Sequence, residues 1–169
     1  MAVTPAMKPD RVLESAIKAE IDAADFYTKL QGKIRNELLL QKLKFLAYEE
    51  EKHRKILERL FGQRFGSREI HIPDRSFLKP EESAFNDASP VLDLFKIALN
   101  AEKKSEDYYG AAGKAAQDPD SRRILVYLSR VERSHYYMIR SEIDLLEKYP
   151  DYYNVEKFHE GQDLFHVGP

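Results

Sequence analysis

The sequence predicts an all-α protein: a four-helix bundle of two helical hairpins, with a long crossover between helices 2 and 3. Apolar residues recur at helical spacing in four segments, and turn residues separate these segments. The second half also repeats the first at an offset of 82 residues, which pairs Tyr27 with Tyr109 and Leu46 with Leu128. A pattern that occurs twice indicates two copies of one helical hairpin.

The first hairpin is expected to consist of helices at about 10–34 and 37–61. Asp10 can act as the N-cap of the first helix, because its side-chain oxygen can accept a hydrogen bond from the first turn. Gly62 and Gly66 are expected to end the second helix, since glycine readily takes the backbone conformation found after a helix.

Residues 63–89 are predicted to form the crossover. Pro73 and Pro80 interrupt the segment, and no helical period persists in it. At about 3.3 Å per residue this stretch is long enough to run the full length of a bundle. We therefore expect it to bring the chain back along the first hairpin.

The second hairpin is expected to consist of helices at about 90–116 and 120–148. Ser89 precedes a proline and is predicted to cap the third helix. Residues 149–169 form a tail rich in tyrosine, phenylalanine, glycine and histidine. We expect this tail to be irregular, to pack on the bundle and to contribute to a homodimer. The whole chain, residues 1–169, is read as a single domain.

Composition excludes several classes of function. The 169 residues include no cysteine, which excludes disulfides, thiol catalysis, cysteine-bound zinc and iron–sulfur centres. The net charge of −2 gives no indication of nucleic-acid binding. Residues 1–9 contain no apolar run, and no later segment is apolar enough to span a membrane. A cytoplasmic location without membrane association is the expectation.

Six polar residues occupy positions where the helical pattern calls for apolar side chains facing the core. Two Glu-x-x-His motifs each place a carboxylate and an imidazole on one helix face. A further glutamate lies thirty residues before each motif, on the preceding helix of the same hairpin. Because the two glutamates of a hairpin lie equally far from its turn, all these side chains should meet at one level. The six residues are Glu20, Glu50, His53, Glu102, Glu132 and His135.

These six side chains predict a site for two divalent metal ions. Four ionised glutamates and two neutral histidines carry a charge of −4, which two divalent cations neutralise, whereas one zinc ion would not. Oxygen and imidazole ligands suit iron or manganese, and the sequence does not distinguish the two. The His-Glu-x-x-His motif of zinc proteases is absent, because positions 49 and 131 hold Glu and Val.

This arrangement resembles the ferritin-like di-iron carboxylate superfamily, and within it the rubrerythrin-like proteins, here without a rubredoxin domain. Proteins of this kind carry one glutamate on each of two helices and Glu-x-x-His on each of the other two. The resemblance covers about residues 10–148. It implies that Glu50 and Glu132 bridge two iron ions. It also implies that Glu20 and Glu102 are terminal ligands, with one histidine for each metal.

The sequence departs from the rubrerythrin pattern at one position. Rubrerythrins carry another glutamate three residues after the third-helix ligand, and Ser105 stands there instead. Glu106 follows on the core face and is either an additional ligand or a polar neighbour. Tyr27 and Tyr109 lie two turns after Glu20 and Glu102, so their hydroxyls are candidates to hydrogen-bond these carboxylates.

The resemblance implies a non-haem di-iron oxidoreductase of peroxidase or ferroxidase type. It would reduce peroxide or dioxygen, or oxidise ferrous iron, and it would draw electrons from an external donor. Two alternatives remain open at this point: an iron-handling protein for storage or delivery, and a di-manganese protein of catalase type. Storage needs a closed shell of many subunits, whereas an oxidoreductase needs no more than the expected homodimer.

Overall fold

A computed structural model describes residues 8–78 and 90–150 of the chain. This part contains four α-helices: α1 (Pro9–Gln31), α2 (Glu37–Phe65), α3 (Val91–Ala115) and α4 (Pro119–Lys148). Helix α1 packs along α2 and α3 along α4, so the chain forms two helical hairpins. The predicted four-helix bundle is confirmed. Among the described helices, none combines the length and the apolar character that crossing a membrane requires.

The helices begin at residues whose chemistry suits a helix start, although the predicted N-cap of α1 was wrong. Lys8 is the N-cap, and Pro9 takes the first helical position, where its missing N–H costs no hydrogen bond. Asp10 lies instead in the first turn, with Oδ2 at 2.7 Å from Nη1 of Arg68. In α2, Oδ1 of Asn36 accepts a hydrogen bond from the backbone N–H of Leu39 at 3.1 Å.

Two helix ends of the first hairpin differ from the prediction. Helix α1 ends at Gln31, and a tighter turn follows in which the N–H of Gly32 bonds to a carbonyl three residues back. Helix α2 continues past Gly62 to Phe65, whose ring lies 4.8 Å from that of Phe61. A glycine inside a helix costs only about 1 kcal/mol, which such packing offsets. Gly66, at φ 65°, then ends the helix.

In the second hairpin, α3 starts one residue later than predicted. Pro90 is its N-cap and Val91 its first residue, while the predicted cap Ser89 lies outside the described residues. Asp118 caps α4, because its Oδ1 accepts the backbone N–H of Ser121 at 2.8 Å.

The described part of the crossover, residues 66–78, is attached to the bundle at several points. The backbone N–H of His71 donates to Oε1 of the buried Glu14 at 2.9 Å. The ring of Phe77 stacks on Tyr108 of α3, with 4.1 Å between the ring centroids. The crossover thus contacts both α1 and α3. The rest of the predicted crossover, residues 79–89, and residues 151–169 of the predicted tail lie outside the described residues.

Two apolar clusters fill the bundle, one toward each end. The first is built around residues such as Leu39, Leu43 and Phe95, and the second around residues such as Leu57 and Leu128. On each helix the buried residues of the two clusters are ten or eleven positions apart, which is about three turns. The polar residues predicted to form a metal site occupy these turns, so they lie midway along the bundle between the two apolar clusters.

Candidate metal centre

The structure brings all six predicted site residues together in the middle of the bundle. Each is at most 3% exposed, although all six are ionisable. One comes from α1, two from α2, one from α3 and two from α4. Ionisable side chains are buried this deeply only when something compensates for the loss of water. The residues are Glu20, Glu50, His53, Glu102, Glu132 and His135.

The ligand atoms form two overlapping groups, and within each group they lie within 4.8 Å of one another. Glu50 and Glu132 belong to both groups. The first group adds Glu20 and His53, and Nδ1 of His53 lies 3.0 Å from Glu132 Oε1 and 3.4 Å from Glu20 Oε2. Two groups of four ligand residues that share two carboxylates form the arrangement that a pair of bridged metal ions requires. The second group consists of Glu50, Glu102, Glu132 and His135.

The histidines present Nδ1 to the carboxylates. Nδ1 of His135 lies 3.3 Å from Glu50 Oε1 and 3.6 Å from Glu102 Oε2. The two imidazole rings stack nearly parallel, with centroids 5.5 Å apart and planes 15° apart. The second group therefore mirrors the first, as expected for two halves of a chain that repeat one hairpin.

Several buried ligand atoms of the site make no well-formed hydrogen bond within the described residues, although ionisable side chains lie close to them. They include Oε1 of Glu50, Oε2 of Glu102, Oε1 of Glu132 and Nδ1 of His135. Buried polar atoms are nearly always paired, so several unpaired atoms aimed at one point indicate a missing partner. Metal ions are suited to be that partner, since carboxylate oxygen and imidazole nitrogen are their common ligands. The donor set fits two divalent ions of the iron or manganese type.

The terminal carboxyls prefer their neutral form in the absence of metal. Burial raises the pKa of Glu20 well above its ordinary value, and the charge of Glu132 raises it further. Burial likewise raises the pKa of Glu102, reinforced by the charge of Glu50. Without cations, the site therefore limits its negative charge by holding protons on these two residues.

The histidines prefer their charged form for the opposite reason. Burial lowers the pKa of His53, but its contacts with Glu132, Glu20 and Glu50 outweigh burial and raise the pKa to about 12. The pKa of His135 is also raised, against the effect of burial, by carboxylates around its ring. Protons thus occupy the positions that cations would take, and binding metal must displace them.

Tyr27 and Tyr109 hydrogen-bond the two glutamates predicted to be terminal ligands, each across the bundle. The hydroxyl of Tyr27 on α1 donates to Oε1 of Glu102 on α3, and that of Tyr109 on α3 donates to Oε1 of Glu20 on α1. Tyr27 lies seven residues after Glu20 on α1, whereas its partner Glu102 lies seven residues before Tyr109 on α3. The two helices are therefore antiparallel. Each tyrosine therefore supports the glutamate of the other hairpin, a pairing that the sequence did not specify.

Ser105 and Glu106 differ in how they meet the site. Ser105 is buried and lies on the wall of a cavity that Glu102 also lines. Glu106 turns toward α4, where its Oε1 accepts a hydrogen bond from Nε of Arg133 at 2.7 Å, and its Oε2 lies 3.2 Å from Nζ of Lys103. Glu106 is in neither of the two ligand groups described above. Its carboxylate has two cationic partners already.

Glu49 is a site neighbour that the sequence reasoning missed. One of its carboxylate oxygens lies within 4.8 Å of a ring nitrogen of His53 and of His135. It also forms an ion pair with Lys52 at 2.7 Å. The spacing of four residues between Glu49 and His53 was the available signal, since such residues share a helix face.

Comparison with known proteins agrees with this geometry. A family model described as Rubrerythrin matches residues 11–143. A solved structure of a hypothetical protein from Pyrococcus furiosus is 31% identical, with a TM-score of 0.78 over 86% of this chain and 94% of that one. An uncharacterised conserved protein from Magnetospirillum magnetotacticum MS-1 is 18% identical and shares the fold, with a TM-score of 0.61 over 79% of this chain and 91% of that one. No curated protein matches the chain significantly.

Proposed function

The chain belongs to the rubrerythrin family, and from this premise we propose that it is a di-iron carboxylate oxidoreductase. The proposed reactions are the reduction of peroxide or dioxygen and the oxidation of ferrous iron. The observation that carries the proposal is the pair of overlapping ligand groups that share Glu50 and Glu132. Such a pair suits chemistry that needs two metal ions side by side, at a separation of roughly 3.5–4 Å.

The protein would hold the two metal ions with its own side chains and keep water away from them. Glu50 and Glu132 would bridge the two ions, while Glu20 with His53 and Glu102 with His135 would complete the two ends. Two iron atoms held there in the ferrous state would together supply two electrons, the number needed to reduce hydrogen peroxide to two water molecules with two protons. Tyrosine hydroxyls restrain both terminal carboxylates, and the apolar clusters on either side limit access of solvent.

The electrons that restore the ferrous state are proposed to come from a separate donor. The chain contains no cysteine, so it holds neither a rubredoxin centre nor a cysteine-bound iron–sulfur cluster. A reduced partner protein or small reductant must therefore deliver electrons at the surface.

We further propose a homodimer formed through the outer face of α2 and α4. Tyr48 and Tyr137 are each 63% exposed, and Phe45 is 46% exposed, which is a large aromatic surface for a helix pair. Tyr48 lies five residues before His53, and Tyr137 lies two residues after His135. Because the rings of these histidines stack on each other, both tyrosines lie within about two turns of the candidate metal centre. Sedimentation of Tyr48→Glu, Tyr137→Glu and a chain lacking residues 151–169 tests this proposal. If all three retain the mass of the unchanged protein, this face and the tail are excluded from any interface.

The proposed activity is tested by stopped-flow absorbance of the ferrous protein mixed with hydrogen peroxide and, separately, with dioxygen. We expect rapid oxidation of two iron ions per chain by at least one oxidant. Glu50→Ala should abolish this oxidation, whereas Glu51→Ala, at a surface position next to it, should not. A protein that binds two irons and reacts with neither oxidant would contradict an oxidoreductase and would favour iron handling.

A further inference from the structure

Glu49 lies beside both histidines of the candidate metal centre without belonging to either of its halves. One of its carboxylate oxygens and a ring nitrogen of each of His53 and His135 lie within 4.8 Å of one another. The two four-residue ligand groups that share Glu50 and Glu132 do not include Glu49. Glu49 therefore approaches the imidazole rings and not the point where the site carboxylates meet.

Each histidine has one ring nitrogen that the site carboxylates leave free. Nδ1 of His53 lies 3.0 Å from Glu132 Oε1 and 3.1 Å from Glu50 Oε2, so Nδ1 is the atom placed to bind metal. Nδ1 of His135 faces Glu50 in the same way. A neutral imidazole that binds metal through Nδ1 carries its proton on Nε2. Nε2 of His53 is buried and makes no hydrogen bond within the described part of the chain, so its proton lacks an acceptor there.

The Glu49 carboxylate is held between the surface and the two rings. Nζ of Lys52 lies 2.7 Å from its Oε1, and the Glu49 side chain is 16% exposed. The same ammonium group lies over the ring of Tyr48, at 5.5 Å from its centroid. These contacts keep the carboxylate near the outer edge of the imidazoles. One bridging water molecule, or a turn of the side chain, is enough to connect a carboxylate at this distance to a ring N–H.

The second hairpin supplies no equivalent carboxylate. The offset of 82 residues pairs Glu49 with Val131 and Lys52 with Ser134. The six ligands thus repeat, whereas the charged pair beside them occurs in the first hairpin alone. Because the imidazole rings of the two halves stack on each other, one carboxylate at their edge can serve both.

We propose that Glu49 is a positioning residue of the metal centre, whose carboxylate accepts the Nε2–H of the two histidines and keeps Nδ1 of each ring directed at the metals. A histidine that donates its second N–H to a carboxylate has a fixed ring orientation and is a stronger metal ligand. The inference rests on the metal centre of the proposed function and requires no particular reaction there.

Metal affinity tests this role. In an anaerobic competitive titration with Fe(II), Glu49→Ala should weaken both binding steps about 10- to 100-fold, as the loss of a hydrogen-bond acceptor for metal-binding histidines does. Glu49→Gln removes the charge but keeps an oxygen that accepts a hydrogen bond, so it should recover most of the loss. Glu51→Ala is the matched control and should bind as the unchanged protein does, because the Glu51 carboxylate pairs with Arg54 on the surface. Equal losses in Glu49→Ala and Glu49→Gln would show an effect of charge alone and would overturn the proposal.

The Nε2 protons give a signature that a purely structural role would not change. In ¹H–¹⁵N spectra of the zinc-loaded protein, which is diamagnetic, the Nε2–H of both histidines should give slowly exchanging signals. Glu49→Ala should lose these signals to exchange with water, while its backbone amide signals stay in place. Unchanged Nε2–H signals or unchanged affinities in Glu49→Ala would overturn the role of Glu49 and leave the proposed function standing. An unchanged protein that binds no pair of metals would overturn the metal centre and this inference with it.

Discussion

The tyrosine hydroxyls offer a direct way to weaken one half of the metal centre at a time. Tyr27→Phe removes the hydrogen bond to Oε1 of Glu102 and leaves the ring in place. Tyr27 is 1% exposed, so bulk solvent does not replace the lost donor. The affected oxygen would then remain buried and unpaired in the metal-bound protein, where Glu102 is ionised.

The expected loss follows from the charge of that carboxylate. A hydrogen bond to a charged group contributes about 1.5–3 kcal/mol, and about 1.4 kcal/mol corresponds to a tenfold change in affinity. One of the two metal ions should therefore bind about 10- to 100-fold more weakly, which agrees with the effect of removing groups that support metal ligands. The other half, centred on Glu20, should keep its affinity.

The assay is a competitive titration of metal-free protein against a fluorescent chelator, which resolves the two binding steps. Tyr109→Phe should weaken the Glu20 half in the same way. Tyr108→Phe is the matched control, because its hydroxyl donates to a backbone carbonyl and not to the site. Unchanged affinities in Tyr27→Phe, or an equal loss in Tyr108→Phe, would refute the assignment of these tyrosines as supports of the ligands.

Three further predictions follow from the charges of the site. Glu50→Ala and Glu132→Ala should each reduce metal binding below two ions per chain by elemental analysis, while circular dichroism shows the metal-free variants still folded, since one charge has left a repulsive cluster. Glu106→Ala should keep both metals and an oxidation rate within a few-fold of the unchanged protein, because the Glu106 carboxylate pairs with Lys103 and Arg133. A strongly slowed oxidation would indicate instead that Glu106 is a metal ligand. The raised pKa values of Glu20 and Glu102 mean that the folded metal-free chain binds more protons than the unfolded one, so its melting temperature should fall as pH rises above 4.5. Bound metal displaces these protons and should reverse that slope; equal slopes with and without metal would contradict the assignment.

Much of the architecture could be predicted because it depends on short-range patterns. Helical spacing determines which residues face the core, and the repeat at an offset of 82 residues showed that Glu20 corresponds to Glu102. The equal distances of Glu20 and Glu50 from their turn predicted one common level, and the structure places the side chains there. These inferences needed only the geometry of a single helix and of a hairpin.

The features that were missed depend on how the hairpins pack against each other. The antiparallel arrangement of α1 and α3 crosses the tyrosine pairs, and no pattern within α1 alone carries that information. The approach of Glu49 to both histidines likewise involves α4 as well as α2. The continuation of α2 through Gly62 is a local example of the same effect, because packing outweighs a small preference against glycine.

The central claim is that one chain holds two bridged metal ions. Anaerobic titration of the metal-free protein with Fe(II) tests it most directly. Since two overlapping groups share Glu50 and Glu132, we expect the titration to end at two ions per chain, with the second bound only in proteins that retain both shared carboxylates. An end point at one ion per chain, unchanged in Glu50→Ala, would contradict the account.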